Sequence, residues 1–503
     1  MRDQVEHIRQ RLAAQGVRVT GLAVDSRTLA AGEVFLAYPG ARHDGRDFVP
    51  DALERGAAAV LWESDGFEWN AAWRAPNVGV GNLRGLAGAL AHEVYGRPSE
   101  KLWTMGVTGT NGKTSCSHWI AQACGACGAR TAVIGTLGTG FPALPGSEEP
   151  GKFVAGLNTT PDAVALHRSL AQLLAAGAQG VAMEVTSIGL EQGRVNGIAF
   201  GAALFTNLSR DHLDYHGNME NYARAKQRLF EVPGLKHAVL NLDDVQGARL
   251  ARMLAGRGLN RAGYSCFAGV AARAGLESHA EALAIEVSPK GIAFDVKSSW
   301  GEARIESALL GRFNVSNLLG VLTTMLVSGV PFERATAVLA ELRPVEGRMQ
   351  RLGGGGTPLV VVDYAHTPDA LEKTLIALKD VARASGGRLV AVFGCGGERD
   401  RGKRPLMGAV ASRHADAITV TSDNPRGEDP AAIIAEITAA IPVAHEAVED
   451  RRTAIARAIA SAGADDVVLI AGKGHEKYQE IAGRRLPFSD ALEAEQALAR
   501  WSR

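Results

Sequence analysis

Met105-Gly106-Val107-Thr108-Gly109-Thr110-Asn111-Gly112-Lys113-Thr114-Ser115 decides how this 503-residue chain is read. An apolar segment with Trp103, Met105 and Val107 runs into a glycine-rich turn that ends in Lys-Thr-Ser, and a helix-like segment follows. Glycines let backbone N–H groups close around phosphate oxygens, Lys113 adds a positive charge, and Thr114 offers a hydroxyl to Mg²⁺. The stretch therefore predicts a nucleoside triphosphate site between a strand and a helix. The strict phosphate-loop pattern G-x-x-x-x-G-K-[ST] needs a glycine at position 107, where Val107 stands, so the cradle is a variant.

On either side the chain divides. Residues 1–97 read as a small α/β unit with strands near Val34–Tyr38 and Ala58–Trp62 and a helix over Leu83–Tyr95; Gly96-Arg97-Pro98 breaks it. Over 98–345, strands at 131–134, 180–185, 203–206 and 238–242 alternate with helices, Asp162–Ala175 the clearest. This predicts a mostly parallel sheet of phosphate-loop type. Alternation around Pro289-Lys290-Gly291 predicts an inserted hairpin. A glycine-rich junction, Pro344 to Gly356, opens a third unit, 346–503. Its strands at 359–362, 389–393, 417–420 and 467–470 predict a Rossmann-like doubly wound sheet. The fold class is α/β in three domains.

Composition narrows the partners. Lys plus Arg and Asp plus Glu are both 54, so no basic field points to nucleic acid. The opening residues mix charges, unlike a signal peptide, and no apolar run reaches the ~18 residues of a membrane helix. Five cysteines form no disulfide framework, and Cys124-Gly125-Ala126-Cys127 lacks a second pair, so these read as small buried thiols. A soluble, cytoplasmic, monomeric protein acting on small molecules is expected.

Further residues carry chemistry. Glu184 ends a strand beside the cradle, a natural Mg²⁺ partner or an ordinary polar strand end. Asp211, His212 and Asp214 follow another strand and read as a metal-facing cluster or a solvated helix cap. Lys226, on a helix, reads by itself as a solvated lysine. Asp423-Asn424-Pro425-Arg426 follows a third strand; Pro425 stiffens the turn and aims Arg426, which suits a bidentate grip on a carboxylate. Gly472-Lys473-Gly474-His475-Glu476 is another glycine turn at a sheet edge.

Together these motifs resemble the Mur ligases, ATP-dependent amide-bond-forming enzymes of peptidoglycan assembly that support cell shape and division. Gly109 to Ser115 is similar to their variant cradle, and the resemblance covers essentially the whole chain. It is strongest to the members that add the third residue of the stem peptide. Asn158-Thr159-Thr160-Pro161, Glu184-Val185-Thr186-Ser187, Gln192-Gly193-Arg194, Asp211-His212, Tyr364-Ala365-His366-Thr367-Pro368 and Asp423 to Arg426 stand in their order.

The resemblance implies that the first domain holds the uridine nucleotide end of UDP-MurNAc-L-Ala-D-Glu, the second ATP and the third meso-diaminopimelate. For the nucleotide-sugar peptide it points to Val24, Ser26, Ala41, Arg42, His43, Asn158, Thr159, Thr160, Thr186, Gln192 and Arg194. On the ATP side, Asn317, Arg348 and Asp363 join Gly109, Thr110, Asn111, Gly112, Lys113, Thr114 and Ser115. Arg399, Asp423, Asn424, Pro425, Arg426, Gly472 and Glu476 match positions that hold diaminopimelate. Lys113, Glu184, His212 and Lys226 are the implied catalytic residues. Thr114, Glu184, His212 and a carbamylated Lys226 are the implied Mg²⁺ ligands. The carbamate makes physical sense, because an ammonium ~4 Å from another positive charge is repelled by about 4 kcal/mol at intermediate dielectric, whereas a carbamate reverses the sign. The resemblance thus overturns the solvated-lysine reading.

Three departures stand out. Thr186 replaces a frequent Ser, Ile188 replaces a usual His, and Ala41-Arg42-His43 differs from the family pattern. Folylpolyglutamate synthetase shares the ATP core, but the N-terminal unit and Asp423 to Arg426 argue against it. Intact Lys113, Glu184, His212 and Lys226 argue against a nucleotide-binding scaffold without catalysis.

Overall fold

A computed structural model describes residues 2–40, 43–147 and 149–502. The N-terminal sheet has four parallel strands, Leu22–Ala23, Val34–Ala37, Ala59–Glu63 and Asn77–Val80, in chain order. Helices Arg2–Ala14 and Leu83–Val94 cover one face, burying Val5, Ile8 and Leu12 from the first and Leu83, Leu86 and Leu90 from the second. The charge-rich opening residues therefore form a helix with a narrow apolar stripe at i, i+3 and i+7, a period that its charged majority obscures in the sequence.

The central sheet has eleven strands. Seven form its parallel heart, from Ser278–Ser288 through Asn260–Ser265, His237–Asn241, Ala202–Phe205, Trp103–Thr108 and Gly180–Glu184 to Thr131–Gly135. Antiparallel strands extend both edges. The hairpin is present: Ser278–Ser288 turns at Pro289 and Lys290 into Gly291–Ser298, and a third strand, Glu302–Ser307, continues it. Helix Phe313–Val327 lies against this sheet with both faces buried, which explains its near-continuous apolar sequence. Trp103–Thr108 lies between Ala202–Phe205 and Gly180–Glu184, so the cradle, Thr206 and Glu184 all emerge at the carboxyl ends of adjacent strands. Open α/β sheets bind ligands there.

The C-terminal sheet runs Gln350–Gly353, Leu359–Asp363, Val467–Ala471, Leu389–Phe393, Ala417–Thr421 and Glu446–Val448, parallel except for the first. Separate apolar layers cover its two faces, as a doubly wound sheet requires. Gly353 to Gly356 all have positive φ and make the tight turn of the first antiparallel pair. A two-stranded hairpin, Tyr478–Ile481 with Arg484–Pro487, follows the central strand Val467–Ala471 and bridges to Arg426 through Ile481. Among the described residues no helix is long and apolar enough to cross a membrane.

Candidate active site

The cradle is built by close approach. Gly109 has φ 151°, and a Cβ there would sit 1.9 Å from Thr206 Oγ1. That hydroxyl donates to Asn111 O at 2.6 Å, while Asn207 accepts from the amides of Thr110 and Asn111, each at 2.9 Å. Gly112 has φ 86°, and its Cβ would meet Asn317 Oδ1 at 2.6 Å. Asn317 is fixed in turn by donating to Asn314 Oδ1 at 2.9 Å. The loop is thus shaped before any ligand arrives, and only glycine fits at 109 and 112. Ser115 is buried in the first turn of helix Lys113–Ala126. Thr110 Oγ1 lies 3.1 Å from Tyr222 OH and accepts from the Ser209 amide.

Glu184 is 1% exposed, and every contact of its carboxylate reaches the cradle or the next strand end. Thr114 Oγ1 donates to Oε2 at 2.9 Å, and the Thr136 amide donates to Oε1 at 2.7 Å. Arg348 Nη2 stands 3.3 Å from Thr114 Oγ1, with its guanidinium 4.4 Å from the Tyr364 ring centroid. Asp363 holds that arm in place: both its oxygens accept backbone amides, from Met349 at 2.8 Å and Ala365 at 2.9 Å. Its carboxylate therefore positions Arg348 rather than pointing free into the site. Asn111 Nδ2 and Ser209 Oγ both donate to Asp369 Oδ2, at 3.1 and 2.8 Å, which couples the cradle to the C-terminal domain.

Two cations converge on one carbonyl. Lys113 Nζ donates to Gly109 O at 2.9 Å and to Thr110 O at 2.8 Å, and Lys226 Nζ donates to the same Gly109 O at 2.8 Å. Lys226 is 1% exposed, so its helix face is buried and not solvated. Its helix, Met219–Gln227, turns Tyr222, Ala223, Ala225 and Lys226 inward, with Nζ 4.5 Å from the Tyr222 ring centroid. Burial, reinforced by the Lys113 charge, drives the Lys226 pKa well below its usual value. His212 has φ 52° and begins a four-residue helix, with its imidazole half-exposed and 3.5 Å from Asp211. Among the described residues no three His, Cys, Asp or Glu side chains form a ready-made metal site. Thr114 and Glu184 nonetheless bring a hydroxyl and a carboxylate together, oxygen donors of the kind that hard divalent cations take.

The third site lies at the carboxyl ends of Ala417–Thr421 and Val467–Ala471. Asp423 Oδ1 accepts the Asn424 amide at 2.7 Å, and a Cβ on Gly472 would meet Asp423 Oδ2 at 2.6 Å. Asn424 Nδ2 donates to Glu476 Oε2 at 2.7 Å. Arg426 follows Pro425 with φ 55°, its backbone bonded to Glu480 and Ala482 of the small hairpin. Its Nη1 donates to Gly397 O at 2.6 Å, and Nε lies 3.8 Å from Glu480 Oε2. Arg399 is exposed, its stem 3.9 Å from the point where Gly396 would carry a Cβ; Arg426 Nη1 lies 2.9 Å from the same point. The two arginines therefore flank Gly396.

Comparison with known proteins agrees with this layout. Residues 18–95 match the profile of the Mur ligase family, catalytic domain, 107–325 that of the Mur ligase middle domain, and 347–474 that of the Mur ligase, glutamate ligase domain. The chain belongs to the Mur ligase family. A UDP-N-acetylmuramoyl-L-alanyl-D-glutamate--2,6-diaminopimelate ligase of Chromobacterium violaceum is 50% identical over 97% of this chain and 96% of its own. A solved structure of an enzyme of the same name is 36% identical, with TM-score 0.67, over 96% of this chain and 95% of that one. MurF ligase from Thermotoga maritima, solved with ADP, shares the fold at 18% identity and TM-score 0.62, over 96% of this chain and 98% of its own.

The remaining Mur ligase positions are spread over two domains. Thr159 lies 3.1 Å from Thr136, and Thr160 bonds Glu184 O and Thr186 Oγ1, at 2.9 and 3.0 Å. Thr186 also caps the helix Ser187–Glu191. Gln192 and Arg194 bond each other, and Arg194 donates to Thr160 O at 2.7 Å. Asn158 is exposed, Ser26 is buried behind Asp25, and Val24 packs against the N-terminal core. His43 lies against Phe48, while Ala41 and Arg42 fall outside the described residues. Cys124 is buried, and burial pushes its thiol up to about 12; Cys127, read as buried, is only half-buried. Reading by motif missed Thr136, Asn207 and Tyr222. Asn207 directly follows the strand read at 203–206, a position that could have flagged it; Thr136 and Tyr222 carry no motif.

Proposed function

We infer that this chain is an ATP-dependent ligase that joins meso-2,6-diaminopimelate to UDP-MurNAc-L-Ala-D-Glu in peptidoglycan precursor synthesis. The observation that carries the reading is full-length similarity to relatives named for that ligation. Domain limits at 97/98 and 345/346 give each substrate a domain of its own: the nucleotide-sugar end first, ATP second, the amino acid third.

Chemistry follows from the parts. A carboxylate is a poor acyl donor. Transfer of the ATP γ-phosphoryl group to the D-glutamate side-chain carboxylate makes an acyl phosphate with a good leaving group. The diaminopimelate amine attacks that carbonyl, the tetrahedral intermediate collapses, and phosphate and the tripeptide leave with ADP. Lys113 and Arg348 provide positive charge where the phosphoryl oxygens and the oxyanion develop.

Mg²⁺ would be held by Thr114 and Glu184, with His212 and a Lys226 carbamate as further ligands, and supplies charge neutralisation at the phosphates when bound. The carbamate is supported by the shared carbonyl. Both ammonium groups bond Gly109 O, so their nitrogens are at most about 5.7 Å apart. At that separation two like charges repel by about 3 kcal/mol at an effective dielectric of about 20. Burial and this repulsion lower the Lys226 pKa and so favour loss of its proton to the neutral amine, the form that adds CO₂ and releases a proton to give a carbamate anion.

Selectivity rests on Arg426. Meso-diaminopimelate differs from lysine by one distal carboxylate, which Arg426 pairs. Lysine leaves the guanidinium unpaired and brings an ammonium towards it, at a cost of several kcal/mol. The test is ADP release with Mg-ATP: it requires both the UDP-linked dipeptide and diaminopimelate. ADP release without the dipeptide, or none with all three, refutes the ligase reading.

A further inference from the structure

Lys473 is fully buried, yet it is the residue on which two of the diaminopimelate-site side chains depend. It stands in the turn after strand Val467–Ala471, with 0% of its side chain exposed. Nζ donates to Asn424 Oδ1 at 2.9 Å and to Glu476 Oε2 at 3.0 Å, and lies 5.6 Å from the Tyr478 ring centroid. Asn424 Oδ1 also accepts the Glu480 amide at 2.9 Å, which leaves its Nδ2 to donate to Glu476 Oε2. Glu476 Oε2 is thus doubly occupied, while among the described residues no donor bonds Oε1.

A buried ammonium costs several kcal/mol to desolvate unless it is paired and hydrogen-bonded. Here the pairing partner is a group that the substrate also needs. The arrangement does two things. It turns Glu476 so that one oxygen remains for an incoming ammonium, and it balances the Glu476 charge from behind. Arg426, two residues after Asn424 and bonded to Gly397 O, is then the charge that decides what enters.

We propose that Lys473 is a positioning residue for amino-acid selectivity, holding Asn424 and Glu476 so that the pocket accepts an ammonium and a carboxylate on one carbon and disfavours an ammonium alone. This rests on the diaminopimelate reading of the site. Without Lys473, Glu476 faces the pocket as an uncompensated carboxylate; a lone ammonium is then better received, and the paired group is worse aligned.

The test compares wild type, Lys473→Met and Lys473→Gln in steady-state assays with diaminopimelate and with lysine, after checking the fold by thermal melting. Lys473→Gln keeps hydrogen-bond donors without the charge. The expected result is a rise of about tenfold or more in KM for diaminopimelate and a fall of about tenfold or more in the diaminopimelate-to-lysine kcat/KM ratio. KM for ATP stays within about twofold. An unchanged ratio in a folded variant overturns the proposal, as does a uniform rise in KM for every substrate. Failure of both variants to fold assigns Lys473 to the folding core and overturns it too. A wild-type enzyme that does not use diaminopimelate refutes the functional reading itself, and this inference with it.

Discussion

Replacing Lys226 tests the electrostatics of the site most sharply. In the unmodified chain Lys226 and Lys113 share Gly109 O, at 2.8 and 2.9 Å. The repulsion of about 3 kcal/mol between two ammonium groups becomes an attraction of similar size once Lys226 is a carbamate, a swing of about 6 kcal/mol. Solvent and the bound triphosphate screen part of it, so Lys226→Ala is expected to lower kcat by about two to four orders of magnitude. ATP affinity, carried by the cradle, changes less. Bicarbonate leaves this variant unrescued. In wild type equilibrated with ¹³C-bicarbonate, a carbamate carbon resonance appears that Lys226→Ala lacks. Full activity in the variant, or full wild-type activity with no such resonance, refutes the argument. The sign of the stability effect is also fixed. Burial depresses the Lys226 pKa below 10.5, so between its folded value and 10.5 the unfolded chain binds more protons. Stability from this group is therefore complete above 10.5 and is lost as pH falls towards the folded value. In CO₂-free buffer Lys226→Met is expected to flatten that slope and raise the melting temperature at neutral pH. A lower melting temperature with an unchanged slope contradicts the assignment of a depressed pKa.

Two other substitutions probe the scaffold. Gly109→Ala places a Cβ 1.9 Å from Thr206 Oγ1 at φ 151°, so the loop must shift; nucleotide affinity measured by calorimetry should fall by about tenfold or more, and unchanged affinity contradicts a preformed cradle. Arg451 and Asp490 are both fully buried and bonded at 2.7 Å, and Arg451 also donates to Ser422 O and Ala471 O just before the loops that begin at Asp423 and Gly472. Arg451→Met strands the Asp490 carboxylate and should cost about 3–5 kcal/mol in urea unfolding; a loss below about 1 kcal/mol shows that the domain repacks around it.

Legibility followed the strength of local signals. The cradle was readable because glycine, lysine and threonine at fixed spacing admit few other uses, and the apolar parallel strands of the sheet centres were readable as short apolar runs between turn residues. The helix Arg2–Ala14 was not, since three buried residues in thirteen give a weak period. The strands Leu22–Ala23 and Asn77–Val80 were equally silent, being short and held in place by their neighbours in the sheet. At the site, Lys226 shows the limit most plainly. Its helix sequence is mostly polar, and only tertiary packing against Gly109 and Tyr222 reveals that it is buried. Asp363 shows a different limit: only the family resemblance singled it out, and its two bonds to the Met349 and Ala365 amides are visible only in the fold. The family resemblance supplied the substrates, which no spacing in the sequence encodes.

The most direct measurement is a competition. Equimolar meso-diaminopimelate and lysine are offered with Mg-ATP and UDP-MurNAc-L-Ala-D-Glu, and the tripeptide products are separated by mass. Arg426 held between Gly397 O and Glu480 predicts almost entirely the diaminopimelate product, with lysine disfavoured by about a hundredfold or more and Arg426→Ala narrowing the gap. Equal incorporation of the two amino acids, or a lysine product in excess, contradicts the account.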